Sequence, residues 1–157
     1  MKKVFNENIM TKSFFLLDDD ADDRELFVEA LSLADPTAIC YTASKAEEAL
    51  KRLKSDNISV PDFIFLDINL PDLSGWECLI QLKSMAKYKQ VPVIMYSTSS
   101  HEKDVKIAQD LGAFYFLTKP DDFRHLQNFL TIIVQTPLST LKEALQTESR
   151  RISQDTN

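Results

Sequence analysis

Five short apolar runs punctuate the chain: Phe14-Phe15-Leu16-Leu17, Ile39-Cys40-Tyr41, Phe63-Ile64-Phe65-Leu66, Val93-Ile94-Met95-Tyr96 and Phe114-Tyr115-Phe116-Leu117. Each is continuous rather than alternating, the pattern of strands covered on both faces. After each run, apolar residues recur at helical spacing: Leu26, Phe27, Ala30 and Leu31; Ala46, Ala49, Leu50 and Leu53; Trp76, Leu79 and Ile80; Val105, Ala108 and Leu111; Phe123, Leu126, Leu130 and Ile133. Ser44 with Glu47 and Ser74 with Glu77 read as capping boxes, and Gly112 stands where a helix end wants a left-handed residue.

Strand and helix alternate five times, which predicts an α/β, doubly wound (βα)5 domain over residues 11–134, with a parallel sheet and helices on both faces. Such sheets carry their sites at the carboxyl ends of the strands. Residues 1–10 read as an N-terminal extension. Leu138, Leu141, Ala144 and Leu145, with Thr140 and Glu143 as a capping box, predict a short amphipathic helix and then a frayed tail to residue 157.

The strand ends carry the chemistry. Asp18 and Asp19 follow the first run, Asp67 the third, Ser97 ends the fourth and Lys119 follows the fifth. Three carboxylates brought together disfavour one another's ionisation, and a divalent cation removes that cost. Oxygen ligands without His or Cys select Mg²⁺, with Mn²⁺ as the alternative, and Mg²⁺ leaves coordination positions for phosphate oxygens. Lys119, set in a turn by Pro120 (the candidate for a cis bond), and Ser97 offer phosphoryl oxygens an ammonium and a hydroxyl. Asp67, alone on the central strand, is the candidate nucleophile for aspartyl-phosphate chemistry. Asp20, Asp22 and Asp23 read as a solvated acidic helix start. Ser99 or Ser100 reads as a helix cap, Trp76 as a packing residue, and His101 and His125 as solvated side chains.

At 157 residues and 44% apolar, the chain suffices for one core, and a net charge of −6 opposes non-specific binding to nucleic acid. Cys40 and Cys78 fit no metal spacing or disulfide framework, and residues 1–11 lack the apolar core of a signal peptide. A cytoplasmic protein without membrane insertion or direct nucleic-acid contact is expected.

The order Leu16-Leu17-Asp18-Asp19-Asp20 with Arg24, then Phe65-Leu66-Asp67-Ile68-Asn69-Leu70-Pro71-Asp72-Leu73-Ser74-Gly75, then Val93-Ile94-Met95-Tyr96-Ser97, then Leu117-Thr118-Lys119-Pro120, resembles the receiver domain of two-component response regulators. The resemblance covers residues 11 to 134 and implies a flavodoxin-like sheet of order 2-1-3-4-5. It also implies that Asp67 accepts a phosphoryl group from a phosphohistidine on a sensor histidine kinase or histidine phosphotransfer protein. Asp18, Asp19, Asp67 and the backbone carbonyl of Asn69 would serve Mg²⁺, Asp18 through water. Ser97 and Lys119 would bind the phosphoryl oxygens, and Phe116 would be the switch aromatic. The fourth helix, fifth strand and fifth helix would face an unidentified downstream protein. Phe116 stands where Tyr is frequent and Ser97 where Thr is commoner.

The expected function is a stand-alone, single-domain response regulator, not an enzyme beyond its own phosphoryl transfer and dephosphorylation. The alternatives are a haloacid-dehalogenase-like phosphatase using Asp18-x-Asp20, which leaves Asp67 without a role, and a receiver that docks without phosphorylation. A flavodoxin-like FMN protein would need a phosphate-cradling loop where Asp18 to Asp23 repel phosphate.

Overall fold

The continuous apolar runs form five parallel strands of one sheet in the order β2-β1-β3-β4-β5: β1 Ser13–Leu17, β2 Ile39–Ala43, β3 Phe63–Leu66, β4 Val93–Ser97 and β5 Tyr115–Thr118. The structure, a computed structural model, describes residues 11–155. The predicted extension over residues 1–10 lies outside the described residues. Helices α1 (Ala21–Ala34), α2 (Ala46–Lys54), α3 (Gly75–Ser84), α4 (Glu102–Asp110) and α5 (Phe123–Gln135) connect or follow the strands, and α6 (Leu138–Asp155) closes the described chain.

Alternate residues of each strand serve opposite layers. Phe15, Leu17, Ile64, Leu66 and Met95 face the apolar stripe of α2, Cys78, Leu79 and Leu82 of α3, and Ala108 of α4. Phe14, Leu16, Phe65, Tyr96 and Leu117 face Phe27, Ala30 and Leu31 of α1 and Leu126, Phe129, Leu130 and Ile133 of α5. Both faces are dry, so no polar alternation survives in the central strands. Within the second layer Phe27, Phe65 and Tyr96 meet edge to face with centroids 4.8 to 5.9 Å apart, contacts each worth about 0.5–1.5 kcal/mol beyond the area they bury. Leu26 and Ile80, placed by spacing on apolar faces, are exposed, because the buried stripes of α1 and α3 are narrower than the periodicity suggests.

Of the two predicted capping boxes, one forms its cap and the other does not. Ser74 caps α3, accepting from Glu77 N–H at 3.2 Å. At α2, however, the Ser44–Glu47 box does not form: Lys45 is the N-cap and gives no side-chain cap. The carboxylate of Asp72, from the loop before α3, accepts from Ala46 and Glu47 N–H at 3.0 Å each. An ionised acceptor at the positive helix end serves two orphan donors where a Ser hydroxyl would serve one. These bonds hold the Asp72 carboxyl below its usual range.

The tail departs further. Helix α6 begins directly after Pro137, and Thr140 Oγ1 donates to Pro137 O at 3.4 Å instead of capping through a box with Glu143. It runs to Asp155 rather than stopping short, with Leu141 and Leu145 buried against the α1/α5 layer. Its far half is tied by an Arg151–Asp155 pair at 3.0 Å and by a 2.9 Å hydrogen bond between the Tyr115 and Ser149 hydroxyls. Tertiary contact with the edge of β5 thus extends a helix that local pattern alone would end. Among the described residues no peptide bond is cis, so the Lys119–Pro120 bond is trans, the isomer even X–Pro bonds favour by about 0.5–1 kcal/mol. No helix among the described residues is long and apolar enough to cross a membrane.

Candidate functional site

The sheet order brings the four predicted strand ends to one place. Asp18 follows β1, Asp67 follows β3, Ser97 closes β4 and Lys119 follows β5. Lys119 N–H donates to Ser97 O at 2.7 Å, carrying the β4–β5 pairing one residue further and fixing where the lysine stem leaves the sheet. Its ammonium lies 2.8 Å from Asp18 Oδ2, 2.8 Å from Asp23 Oδ2 and 3.1 Å from Asp67 Oδ2. The ring of Tyr96 lies beneath it, 5.3 Å from ring centroid to Nζ.

Asp18 is fully buried and Asp67 nearly so, while Asp19 is exposed at the rim. One oxygen from each of the three lies within 4.8 Å of the others. Asp18 Oδ1 accepts from Asp20 N–H at 3.0 Å, and Arg24 Nη1 donates to the Asp18 carbonyl at 2.9 Å. Asp18 Oδ2 is buried and has its ion pair with Lys119 but no directed hydrogen bond. Burial pushes the Asp18 carboxyl up to about 6, against the lowering pull of Lys119 and Asp20 N–H. Burial pulls Lys119 down, but its close pairs with Asp18 and Asp23 and the charges of Asp18 and Asp67 outweigh that and raise it. The two partners shift in ways that do not mirror each other, because burial dominates at Asp18 and the multiple carboxylates dominate at Lys119.

These residues fit a divalent cation. Hard carboxylate oxygens, one of them buried without a directed hydrogen bond, converge within 4.8 Å of one another, the donor set that a hard cation such as Mg²⁺ takes. Asn69 N–H donates to Asp67 Oδ1 at 3.2 Å, which ties the loop after β3 to the acid. Gly75 makes this loop possible: its N–H donates to Ile68 O at 2.8 Å, and a Cβ there would stand 2.1 Å from the Asp67 carbonyl oxygen. Ser97 is fully buried, its hydroxyl accepting from Ser99 N–H at 3.3 Å. Phe116 is half-buried, paired in register with Met95, and lines a cavity of about 810 Å³ between α4, β5 and α6.

Two residues escaped the sequence reading. Asp23, assigned to a solvated helix start, reaches Lys119 across 96 positions. Asp72, inside a recognised loop, caps α2. Neither carries a local signal, since acids are common in first turns and loops. Asp20, by contrast, is an ordinary N-cap, accepting from Asp23 N–H at 3.0 Å. Ser99 accepts from His101 N–H at 3.3 Å and donates to Asp104, but neither it nor Ser100 is the expected cap: His101 is the N-cap of α4 and makes no side-chain cap bond.

The family model for the response regulator receiver domain matches residues 14–131. The chain belongs to that family. Among curated relatives, the receiver is 34% identical over 108 residues to a protein-glutamate methylesterase/protein-glutamine glutaminase of Myxococcus xanthus, covering 69% of this chain and 30% of that protein. It is 33% identical over 114 residues to an uncharacterized response regulatory protein of Vibrio cholerae, covering 73% of this chain and 45% of that protein. The chain thus spans less than half of either. Among solved structures, the phosphorylated cyanobacterial phytochrome response regulator RcpA aligns with a TM-score of 0.74 at 33% identity, over 83% of this chain and 96% of that one. The Mn²⁺-bound form of response regulator Rcp1 aligns at 0.71 and 28% identity, over 82% and 96%. Fold and sheet order agree with the flavodoxin-like arrangement expected of a receiver.

Proposed function

We propose that this receiver is a phosphorylation-controlled interaction module in which Asp67 accepts a phosphoryl group from a phosphohistidine of a sensor kinase or phosphotransfer protein. The observation that carries the reading is the meeting of Asp67 with Asp18, Asp19 and Lys119 at the strand ends. An Asp67 carboxylate oxygen attacks phosphorus as the bond from phosphorus to the histidine nitrogen breaks, and the electron pair returns to the imidazole. Lys119 and Ser97 bind the phosphoryl oxygens; Asp19, Asp67 and the Asn69 carbonyl would hold Mg²⁺, with Asp18 reaching it through water, and the ion would supply neutralisation of the charge that gathers there. The pull on Lys119 and Ser97 is passed along β4 and β5 to Phe116 and the α4–β5–α5 face, biasing a two-state surface toward a downstream protein. Helix α6 borders that face and shapes the cavity that Phe116 lines. A phytochrome-type kinase is the first donor to try, given what RcpA is named for.

The test is intact-protein mass after incubation with Mg²⁺ and a small acyl-phosphate donor, for wild type, Asp67→Asn and a chelator control. One phosphoryl adduct that requires both Mg²⁺ and Asp67 is expected. An adduct that survives Asp67→Asn, or steady release of phosphate without an adduct, would refute the assignment. A wild type that is never labelled by donor or kinase would favour docking without phosphorylation.

A further inference from the structure

Lys119 is held by three carboxylates, and they are not equivalent. Asp18 and Asp67 belong to the trio whose oxygens converge for a cation; Asp23, 2.8 Å from the same ammonium, does not. A cation and a phosphoryl group would therefore claim two of the lysine's three partners and leave the third. Asp23 is also placed to keep its hold. It sits in the first turn of α1, where Asp20 caps its N–H at 3.0 Å and so fixes its backbone beside the lysine. A first-turn acid needs no partner to be favourable, yet this one is about two-thirds buried and meets an ammonium that is itself only 9% exposed.

We propose that Asp23 is a positioning residue for Lys119, retaining its ammonium at the strand ends when Asp18 and Asp67 are engaged by the cation and the phosphoryl group. This rests on the receiver reading above. Without Asp23 the carboxylates left beside the lysine are the cation's own ligands. It then competes for them in the empty site and has no carboxylate anchor in the Mg²⁺-loaded site before a phosphoryl group arrives. Both effects weaken cation uptake, as does the loss of one nearby negative charge.

The full chain is compared as wild type, Asp23→Asn and Asp23→Glu by ¹H–¹⁵N detection of lysine ammonium groups, which are seen only when held in lasting ion pairs. The Lys119 signal is assigned by its loss in Lys119→Ala. Spectra are taken in chelator, in Mg²⁺, and in Mg²⁺ with beryllium fluoride as phosphoryl mimic. The wild type is expected to keep the signal throughout. Asp23→Asn should keep it in chelator and lose it in Mg²⁺, and Asp23→Glu should restore it. Mg²⁺ titration followed through Trp76 fluorescence should show about two- to fivefold weaker binding in Asp23→Asn, the size of one partly exposed ion pair. A persistent Lys119 signal in Mg²⁺-loaded Asp23→Asn would overturn the proposal while leaving the receiver reading intact. A wild type that takes up no Mg²⁺ would overturn that reading, and the proposal with it.

Discussion

Replacing Asp18 with Asn probes how far the empty site is held against its own preference. Asp18 is fully buried and its carboxyl is raised from 3.8 to about 6, burial first among the causes. At about 1.36 kcal/mol per unit, a gap of that size corresponds to about 3 kcal/mol of stability forgone when the group is ionised in the folded protein. Asn recovers only part of this. It can still accept from Asp20 N–H through Oδ1, but it gives up the 2.8 Å pair with Lys119 and turns a donor toward the ammonium. A net gain of about 1–2 kcal/mol at pH 7 in chelator follows, or about 2–8 °C in Tm for a chain of this size. A raised folded pKa means that the folded wild type takes up a proton near pH 6 and the unfolded chain only near 3.8. Wild-type stability relative to Asp18→Asn therefore rises as pH falls through that window, and the advantage of Asn shrinks toward pH 4. Lys119, raised from an already high value, stays charged throughout and does not move the difference. Urea unfolding of both proteins at pH 7, 5.5 and 4.2 in chelator, then at pH 7 with Mg²⁺, measures each part. Mg²⁺ should reverse the order by stabilising the wild type more. An Asn variant less stable than wild type in chelator at pH 7, or a gap indifferent to pH between 4 and 7, would refute the reasoning.

Gly75→Ala should cost about 1–3 kcal/mol and weaken Mg²⁺ uptake, because its Cβ would press on the Asp67 and Ile68 backbone, the nearest atom at 2.1 Å; unchanged urea midpoint and Mg²⁺ affinity would count against that close approach. Leu145→Ala, removing a side chain that is 1% exposed beneath α6, should cost about 2–3 kcal/mol, and a loss below about 0.5 kcal/mol would show that α6 is not seated on α5 in solution. Burial pushes the Cys40 thiol up to about 12 and the Cys78 thiol up to about 11. Iodoacetamide at pH 8 should therefore modify either at less than about one-hundredth the rate of a free thiol, since only the thiolate reacts; rapid alkylation of the folded protein, read by peptide mass, would contradict it.

Much of the molecule was determined locally. Continuous apolar runs can be satisfied only by strands covered on both sides, and helices between them force a parallel sheet. That topology in turn sends Asp18, Asp67, Ser97 and Lys119 to one end. The site was therefore legible because each residue's position within its own strand decided where it went. What only the tertiary structure decided is the choice among locally equal options. Asp23 could serve the helix dipole alone, yet it turns to a lysine 96 residues away. Ser44 could cap α2, yet Asp72 from another loop does so with two bonds. The tail could fray after Leu145, yet the Tyr115 hydroxyl and the α1/α5 layer draw it on to Asp155. In each case the local alternatives differ by about 1 kcal/mol, the scale of one cap or one helix-dipole contact. A single contact from a distant part of the chain is enough to choose between them.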